Sequence, residues 1–325
     1  MDPRLATAVI VLVGVPAVLI GYIWLTEQLL KVFGQRIRPR LRPWLWLAPA
    51  LAFLVVFLVY PTIGTVIRSL QNKAGTTFIG LDNFAWFFGS DAALISLRNS
   101  LIWVVVLTVV TVGLGLLIAL VVDRVRYESV AKSVIFVPLA ISMTAASVIW
   151  TFMYWYTIPP EPQVGTLNAL LGVFGSGPQA WLQLSDYAVN TILLVIVMAW
   201  MWTGFAMVIL SAALKGINPE LLEAARVDGA TERQVFRRIT LPLLAPTVAV
   251  VSTTMIITAL KAFDVVYVMT SGHFDTQVVA FQMIQEKYVN LNDGRASAIA
   301  VILLLAIIPV MALNIQRFRA QEAIR

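Results

Sequence analysis

The chain has 325 residues, 60% of them hydrophobic and 12% charged, with a mean hydropathy of +0.87 and a formal net charge of +6. A soluble globular domain does not carry that balance, and the absence of cysteine removes disulfides, thiolate catalysis and cysteine-based metal sites. The positive charge does not call for nucleic acid, because no basic run is interleaved with aromatic residues on a soluble face.

Seven apolar runs follow in chain order, roughly 5–26, 43–67, 99–122, 133–160, 187–214, 239–260 and 296–316. Each holds about 20 residues or more, enough for a helix rising 1.5 Å per residue to cross about 30 Å of hydrocarbon. Lipid offers no partner to an unsatisfied backbone group, so the spans must be helical. The predicted fold class is therefore all-α, a polytopic transmembrane helical bundle of about seven spans without a sizeable soluble domain. The first run, Leu5 to Thr26, is longer than the apolar core of a signal peptide and ends in no small-x-small site, so it reads as a membrane helix. Residues 1–43 then form an N-terminal helix and a basic linker, 44–317 the main membrane domain, and 318–325 a tail.

Lysine and arginine give the orientation. The segments 31–43, 123–132, 215–242 and 317–325 hold sixteen of the 23 basic residues, Arg124 and Arg325 among them, and the alternate segments hold six. That is a positive-inside bias. It places the N-terminus outside and the C-terminus in the cytoplasm.

The cytoplasmic segment 216–242 carries more punctuation than a loose loop needs. Asn218 is a good N-cap, Pro219 suits the first helical position, and Glu220 and Glu223 suit the positive end of a helix. The helix meets Gly229, the residue that best tolerates a left-handed C-terminal cap. Thr231 and Gln234 match a capping box opening a second helix, and Pro242 and Pro246 mark where that helix should give way to the next span. The expectation is a helix, a glycine turn and a second helix, held as a rigid knob on the membrane surface.

Glu223-Ala224-Ala225, three residues, Gly229, nine residues, Ile239, one residue and Leu241-Pro242 resembles the EAA loop of binding-protein-dependent ABC importers at every fixed position. FIGLDNF at 78–84, LRNSL at 97–101 and FDVVYVMTSG at 263–272 resemble phrases of the sugar-importer branch. The resemblance covers roughly 44–317, with the first helix as an addition. It implies a coupling helix built from Glu223, Ala224, Ala225, Asp228, Gly229, Ile239, Leu241 and Pro242, docking into a cleft of an ATPase subunit. It also implies the partners: a second homologous permease, an ATPase dimer carrying ATP and Mg, and an extracytoplasmic solute-binding protein. Two features depart from the pattern. Gly272-His273-Phe274 stands where a double glycine and proline are usual, and the external segment 69–97 is short. The wording AFDVVYVMT leans toward α-glucoside or related oligosaccharide permeases.

No GxxxxGK[ST] loop is present, so nucleotide phosphates are not cradled by this chain and no cofactor is expected on it. Enzyme chemistry lacks its parts: His273 is the one histidine, and Asp264 is the one candidate membrane carboxylate. A stand-alone secondary transporter or channel for a small polar solute is the alternative, although mid-membrane ionisable groups are scarce. For the solute path the candidates are Trp150, Tyr154, Trp200, Trp202, Lys261, Asp264 and Tyr267. Aromatic faces suit pyranose rings, while an interfacial belt or plain core packing explains the same residues. Lys261 and Asp264, three apart, are expected on one helix face, as a local ion pair or with Asp264 toward the path.

Overall fold

The computed structural model describes residues 3–123 and 125–322; Arg124 and Arg325, counted above among the topology charges, lie outside them, as do the ends of the two terminal segments. Among the described residues the only extended pairing is an isolated bridge, Gln71 with Phe78. The helices, in chain order, are α1 (Pro3–Val32), α2 (Arg38–Ser69), α3 (Asp82–Gly89), α4 (Asp91–Val122) and α5 (Glu128–Phe136). They continue as α6 (Met143–Met153), α7 (Thr166–Val173), α8 (Val189–Lys215), α9 (Pro219–Val227), α10 (Glu232–Leu260), α11 (Asp264–Met269), α12 (Val279–Tyr288) and α13 (Asp293–Glu322). Six helices are long and apolar enough to cross a membrane, and a bent pair makes a seventh candidate.

That bent pair corrects the fourth run. Residues 133–160 do not form one straight helix: α5 runs through the tight turn Val137–Ala140, the chain turns extended at Ile141 and Ser142, and α6 departs at 97°. The break has local causes. Pro138 withholds an N–H, and Ser142 caps the new helix by accepting from the Ala145 N–H at 3.2 Å. Helix α6 ends at Met153, short of Pro159 and Pro160.

Two other prolines do less than their residue type suggests. Pro242 was expected to close the second cytoplasmic helix, yet α10 runs unbroken from Glu232 to Leu260, with Pro246 inside it. A wide turn at Phe236–Thr240, closed by the Leu241 N–H on the Phe236 carbonyl, directly precedes Pro242. The same arrangement, Val55–Val59 with the Tyr60 N–H on the Val55 carbonyl, precedes Pro61 in α2. The wider turn relieves crowding between the proline ring and the turn before it, and the helix continues.

Contacts divide the chain after Thr65. In the first unit α1 and α2 form an antiparallel hairpin. The Tyr22 hydroxyl donates to the Leu45 carbonyl, and Arg42 meets Glu27 at 2.6 Å. Thr26 and Leu30, one and two turns on from Tyr22, are buried. The outer faces, with Leu19, Phe53 and Phe57 exposed, are those of helices bathed in lipid.

In the second unit the most extensive helix pairing is α4 with α8. Small residues permit it. A Cβ added to Gly115 would lie 2.7 Å from Ala206 Cβ, and on the side where α5 packs on α8 one added to Gly204 would lie 2.4 Å from the Ile135 carbonyl oxygen. Backbones approaching that closely gain van der Waals contact, the main attraction between helices in lipid. Around this seam Trp103, Leu107, Leu194, Val197 and Met207 are buried.

Candidate coupling surface and solute path

The segment from Asn218 to Val235 is built almost wholly by its own residues. The Asn218 side chain accepts from the Glu220 N–H at 3.0 Å, with Pro219 opening α9. At the other end Gly229 takes φ +84°, its N–H bonds the Arg226 carbonyl and the Ala230 N–H bonds the Ala225 carbonyl, each at 3.0 Å. This pair of bonds is a Schellman cap, and the glycine makes it inexpensive. Thr231 and Gln234 then exchange side-chain and backbone bonds in a complete capping box. Glu223, Ala224, Asp228 and Gly229 are exposed and Ala225 is half-buried. Ile239 falls in the wide turn, and Leu241 and Pro242 fall in the helix that enters the membrane region.

One brace was not legible from the spacing rules. Arg226 spans the glycine turn and grips Glu232 with two bonds, Nε to Oε1 at 2.6 Å and Nη2 to Oε2 at 3.3 Å. Six residues separate the pair, a distance that no single helix brings together. The turn does, and the Glu232 hydrogen bond raises the Arg226 guanidinium further above its ordinary pKa. A forked arginine–carboxylate pair fixes geometry as well as charge. Helices α9 and α10 are thereby held at one angle.

A second cluster was counted in the sequence only as topology charge. Lys132 reaches Asp123 and Glu128, each at 2.6 Å, and the Ser211 hydroxyl. Ser211 donates to Asp123 at 2.7 Å, and Lys215 also reaches Glu128. The network ties the end of α4, the start of α5 and the end of α8. Lys215 is the last residue of α8 before the coupling segment.

The path candidates do not form one set. Trp150 and Trp200 stand edge to face with ring centres 5.8 Å apart, and Trp150 lies 5.3 Å from Tyr154. Trp200 is 37% exposed in the middle of α8, whereas Tyr154 is 2% exposed and donates its hydroxyl to the Leu193 carbonyl at 3.2 Å. Tyr154 thus sits in the core behind Trp150. Trp200 borders a cavity of about 630 Å³ whose other walls come from α4, α5 and α8; Thr203 is its one other polar side chain, and no charged residue lines it. Trp202 faces elsewhere, against Phe205 at 5.6 Å, with its indole N–H buried and without a protein partner. Tyr267 is exposed and stacks on Phe263 at 5.2 Å.

Lys261 and Asp264 do not share a helix. Lys261 is the C-cap of α10, the chain breaks at Ala262 and Phe263, and Asp264 opens α11. No ion pair joins them among the described residues, and both are exposed. Helix α11 packs on α6, so Asp264 and Tyr267 belong to the same neighbourhood as Trp150.

The connection 161–181 between α6 and α8 contains the short helix α7 and one organising residue. The Asn168 amide donates to the Trp155 and Gln179 carbonyls and accepts from the Gln179 N–H and the Trp181 indole, all at 3.0 Å. Nothing in the local sequence marks Asn168 for that role.

The family of binding-protein-dependent transport system inner membrane components matches residues 111–318. The osmoprotective compounds uptake permease protein GgtC of Synechocystis is 49% identical over 86% of this chain and 100% of its own length. The alpha-glucoside transport system permease protein AglF of Rhizobium meliloti is 39% identical over 96% of this chain and 97% of its own. Among solved structures, a bacterial alginate ABC transporter in complex with an alginate pentasaccharide-bound periplasmic protein matches with a TM-score of 0.72 at 23% identity, covering 86% of this chain and 94% of that one. That likeness shows the fold alone. The two permeases are similar along nearly their whole length, which displaces the stand-alone secondary transporter or channel: the chain belongs to the binding-protein-dependent transport system inner membrane components, as a permease of an ABC importer.

Proposed function

We propose that the chain is one of two permease halves of an importer for a neutral, polyhydroxylated solute of the α-glucoside kind. The observation that carries the solute class is the Trp150–Trp200 pair. An indole exposed in the middle of a membrane helix, edge-on to a second indole and beside a wall without charge, suits the apolar face of a sugar ring. The names of the relatives, an α-glucoside permease and a permease for osmoprotective compounds, support the same class. Tyr267 and Asp264 on α11 are positioned to supply hydroxyl and carboxylate contacts, and Tyr154 backs Trp150; Trp202, turned toward Phe205 with its indole N–H buried, is left out of the path. Lys261 stands at the rim.

The capped helix pair is the surface that an ATPase dimer grips. Glu223, Asp228 and Gly229 form its exposed face, and Ala224 and Ala225 set how closely a partner approaches. When ATP and Mg close the ATPases, the braced pair moves with them. Helix α8, whose end is tied to α5 by Lys132 and Lys215, carries Trp200 and the foot of the broken helix together. Access alternates only if the ATPase binds the two permease conformations with different affinity. A second homologous permease completes the pathway, and a solute-binding protein delivers cargo at the face that holds the Asn168-organised connection. The N-terminus lies outside and the C-terminus in the cytoplasm.

The test is uptake by the complete complex reconstituted in vesicles with its ATPase and binding protein. ATP-driven accumulation of an α-glucoside, lost in Trp200→Ala while the amount of assembled complex is unchanged, is the expected result. Accumulation of a charged amino acid in place of the glucoside, or full transport by Trp200→Ala, would overturn the solute assignment.

A further inference from the structure

The N-terminal hairpin carries a feature that the transport reading does not use. Between Pro3 and Leu81 there is one acidic residue, Glu27, while Lys31, Arg36, Arg38, Arg40 and Arg42 crowd the turn between α1 and α2. The turn joins two helices that are each long and apolar enough to cross a membrane, so it lies at a membrane surface whichever way the chain is oriented. The charges are arranged around a space. Glu27, Leu30, Lys31, Arg38, Arg42 and Trp46 line a cleft of about 620 Å³ that opens between the two helices.

The donors in this cleft are partly fixed and partly unspent. Arg38 is held in place by its own turn, donating from Nε to the Phe33 carbonyl and from Nη2 to the Lys31 carbonyl, each at 2.9 Å. Among the described residues its remaining guanidinium nitrogen makes no protein hydrogen bond. Arg42 spends Nη2 on Glu27 at 2.6 Å. Lys31 makes no ion pair among the described residues. Folding a hairpin that holds five cations against one carboxylate leaves a local excess of positive charge that only an external anion can balance. The flanking walls are apolar, with Leu30 buried and Trp44, Trp46 and Leu47 exposed at the level where indoles favour the membrane–water boundary. A ligand that fits must be anionic at one end and apolar beyond it.

We propose that this cleft binds the phosphodiester headgroup of an anionic phospholipid. Lys31 and the free nitrogen of Arg38 take the phosphate oxygens, and the acyl chains run along the exposed apolar faces of α1 and α2. Guanidinium groups suit phosphate by fork geometry and lysine by point charge, and basic pockets between membrane helices are where such headgroups settle. Glu27 opposes the ligand, since its carboxylate occupies Arg42 and repels the phosphate.

Native mass spectrometry of the delipidated full chain, titrated with phosphatidylglycerol and separately with phosphatidylcholine, tests this. Preferential retention of phosphatidylglycerol is expected. Lys31→Gln should weaken that retention by about fivefold, the effect of one basic residue near a lipid surface. Arg40→Gln, which lies outside the cleft, should change it less. Glu27→Gln should strengthen retention, a direction that a damaged hairpin would not produce. Equal retention of the two lipids, or no change with Lys31→Gln and Glu27→Gln, would overturn the proposal. Displacement of the lipid by excess inorganic phosphate would overturn it as well, by assigning the cleft to a free anion.

Discussion

The coupling segment and the α4–α8 seam are specified in opposite ways. Between Asn218 and Val235 each ordering bond joins residues at most six apart, and the surface it creates is exposed. At the seam, and where α5 packs on the same α8, the decisive contacts join residues far apart in the chain, Gly115 with Ala206 and Gly204 with Ile135, and the surface is sealed. Under the proposed coupling to an ATPase, a part grasped by another protein gains from being rigid before it is touched, so that binding orders little. A part that must pass movement through lipid gains from backbones too close to slide independently. Rigidity by caps and rigidity by close approach are separate devices, and substitutions can address them one at a time.

The largest expected effect is beside the seam, where α5 packs on α8. Gly204→Leu places a side chain where a Cβ alone already meets the Ile135 carbonyl at 2.4 Å. Two backbones must part, at or above the roughly 1–3 kcal/mol of overpacking. The amount of monodisperse chain after detergent extraction should fall sharply; an unchanged yield and melting temperature would show that α5 and α8 are packed more loosely than this approach implies. Gly229→Val comes next. Nothing lies within 4 Å of the added Cβ, so the cost is conformational, about 1–2 kcal/mol for a left-handed L residue, and confined to the cap. ATP-driven uptake should drop while the membrane part stays folded. If both fall together, the two regions are not separable. Thr231→Ala removes the capping-box hydroxyl and should cost about 1 kcal/mol locally, read as faster amide exchange at Gln234 and Val235 with little change in α4 or α8. The smallest effect is expected for Glu232→Gln, which keeps the shape of the brace and removes its charge. A modest loss of uptake that disappears as salt is raised in both proteins would identify the pair as electrostatic; a loss independent of salt would assign it to geometry.

Caps and turns of the coupling segment were legible because their causes are local. Asn218, Pro219, Gly229, Thr231 and Gln234 each act on backbone within a few residues, and each does in the structure what its chemistry suggests. The Arg226–Glu232 brace was not legible, since it needs the turn to exist first. Proline misled at Pro242 because residue type gives the missing N–H and not the wide turn that accommodates it. The fourth apolar run misled in the other direction. Hydropathy measures solubility in lipid, and it does not register a 97° bend made by Pro138, Ile141 and Ser142. Lys261 and Asp264 were paired by helical spacing, and a two-residue break between α10 and α11 separated them. Of the aromatic candidates, only neighbours in space could divide Trp150 and Trp200, which meet beside a cavity, from Tyr154, which is buried, and Trp202, which faces another way.

By itself the sequence determined that the chain is a bundle of membrane helices and that a capped helix pair interrupts it, because apolar length and capping chemistry act along the backbone without reference to distant residues. Only the tertiary structure decided which helices touch, where the ions of Asp123, Glu128, Lys132 and Lys215 converge, and which indoles share a wall. In lipid every apolar face is equally soluble, so hydrophobicity cannot choose among partners. The choice falls to the small residues that permit close approach and to the few polar groups that must find one another.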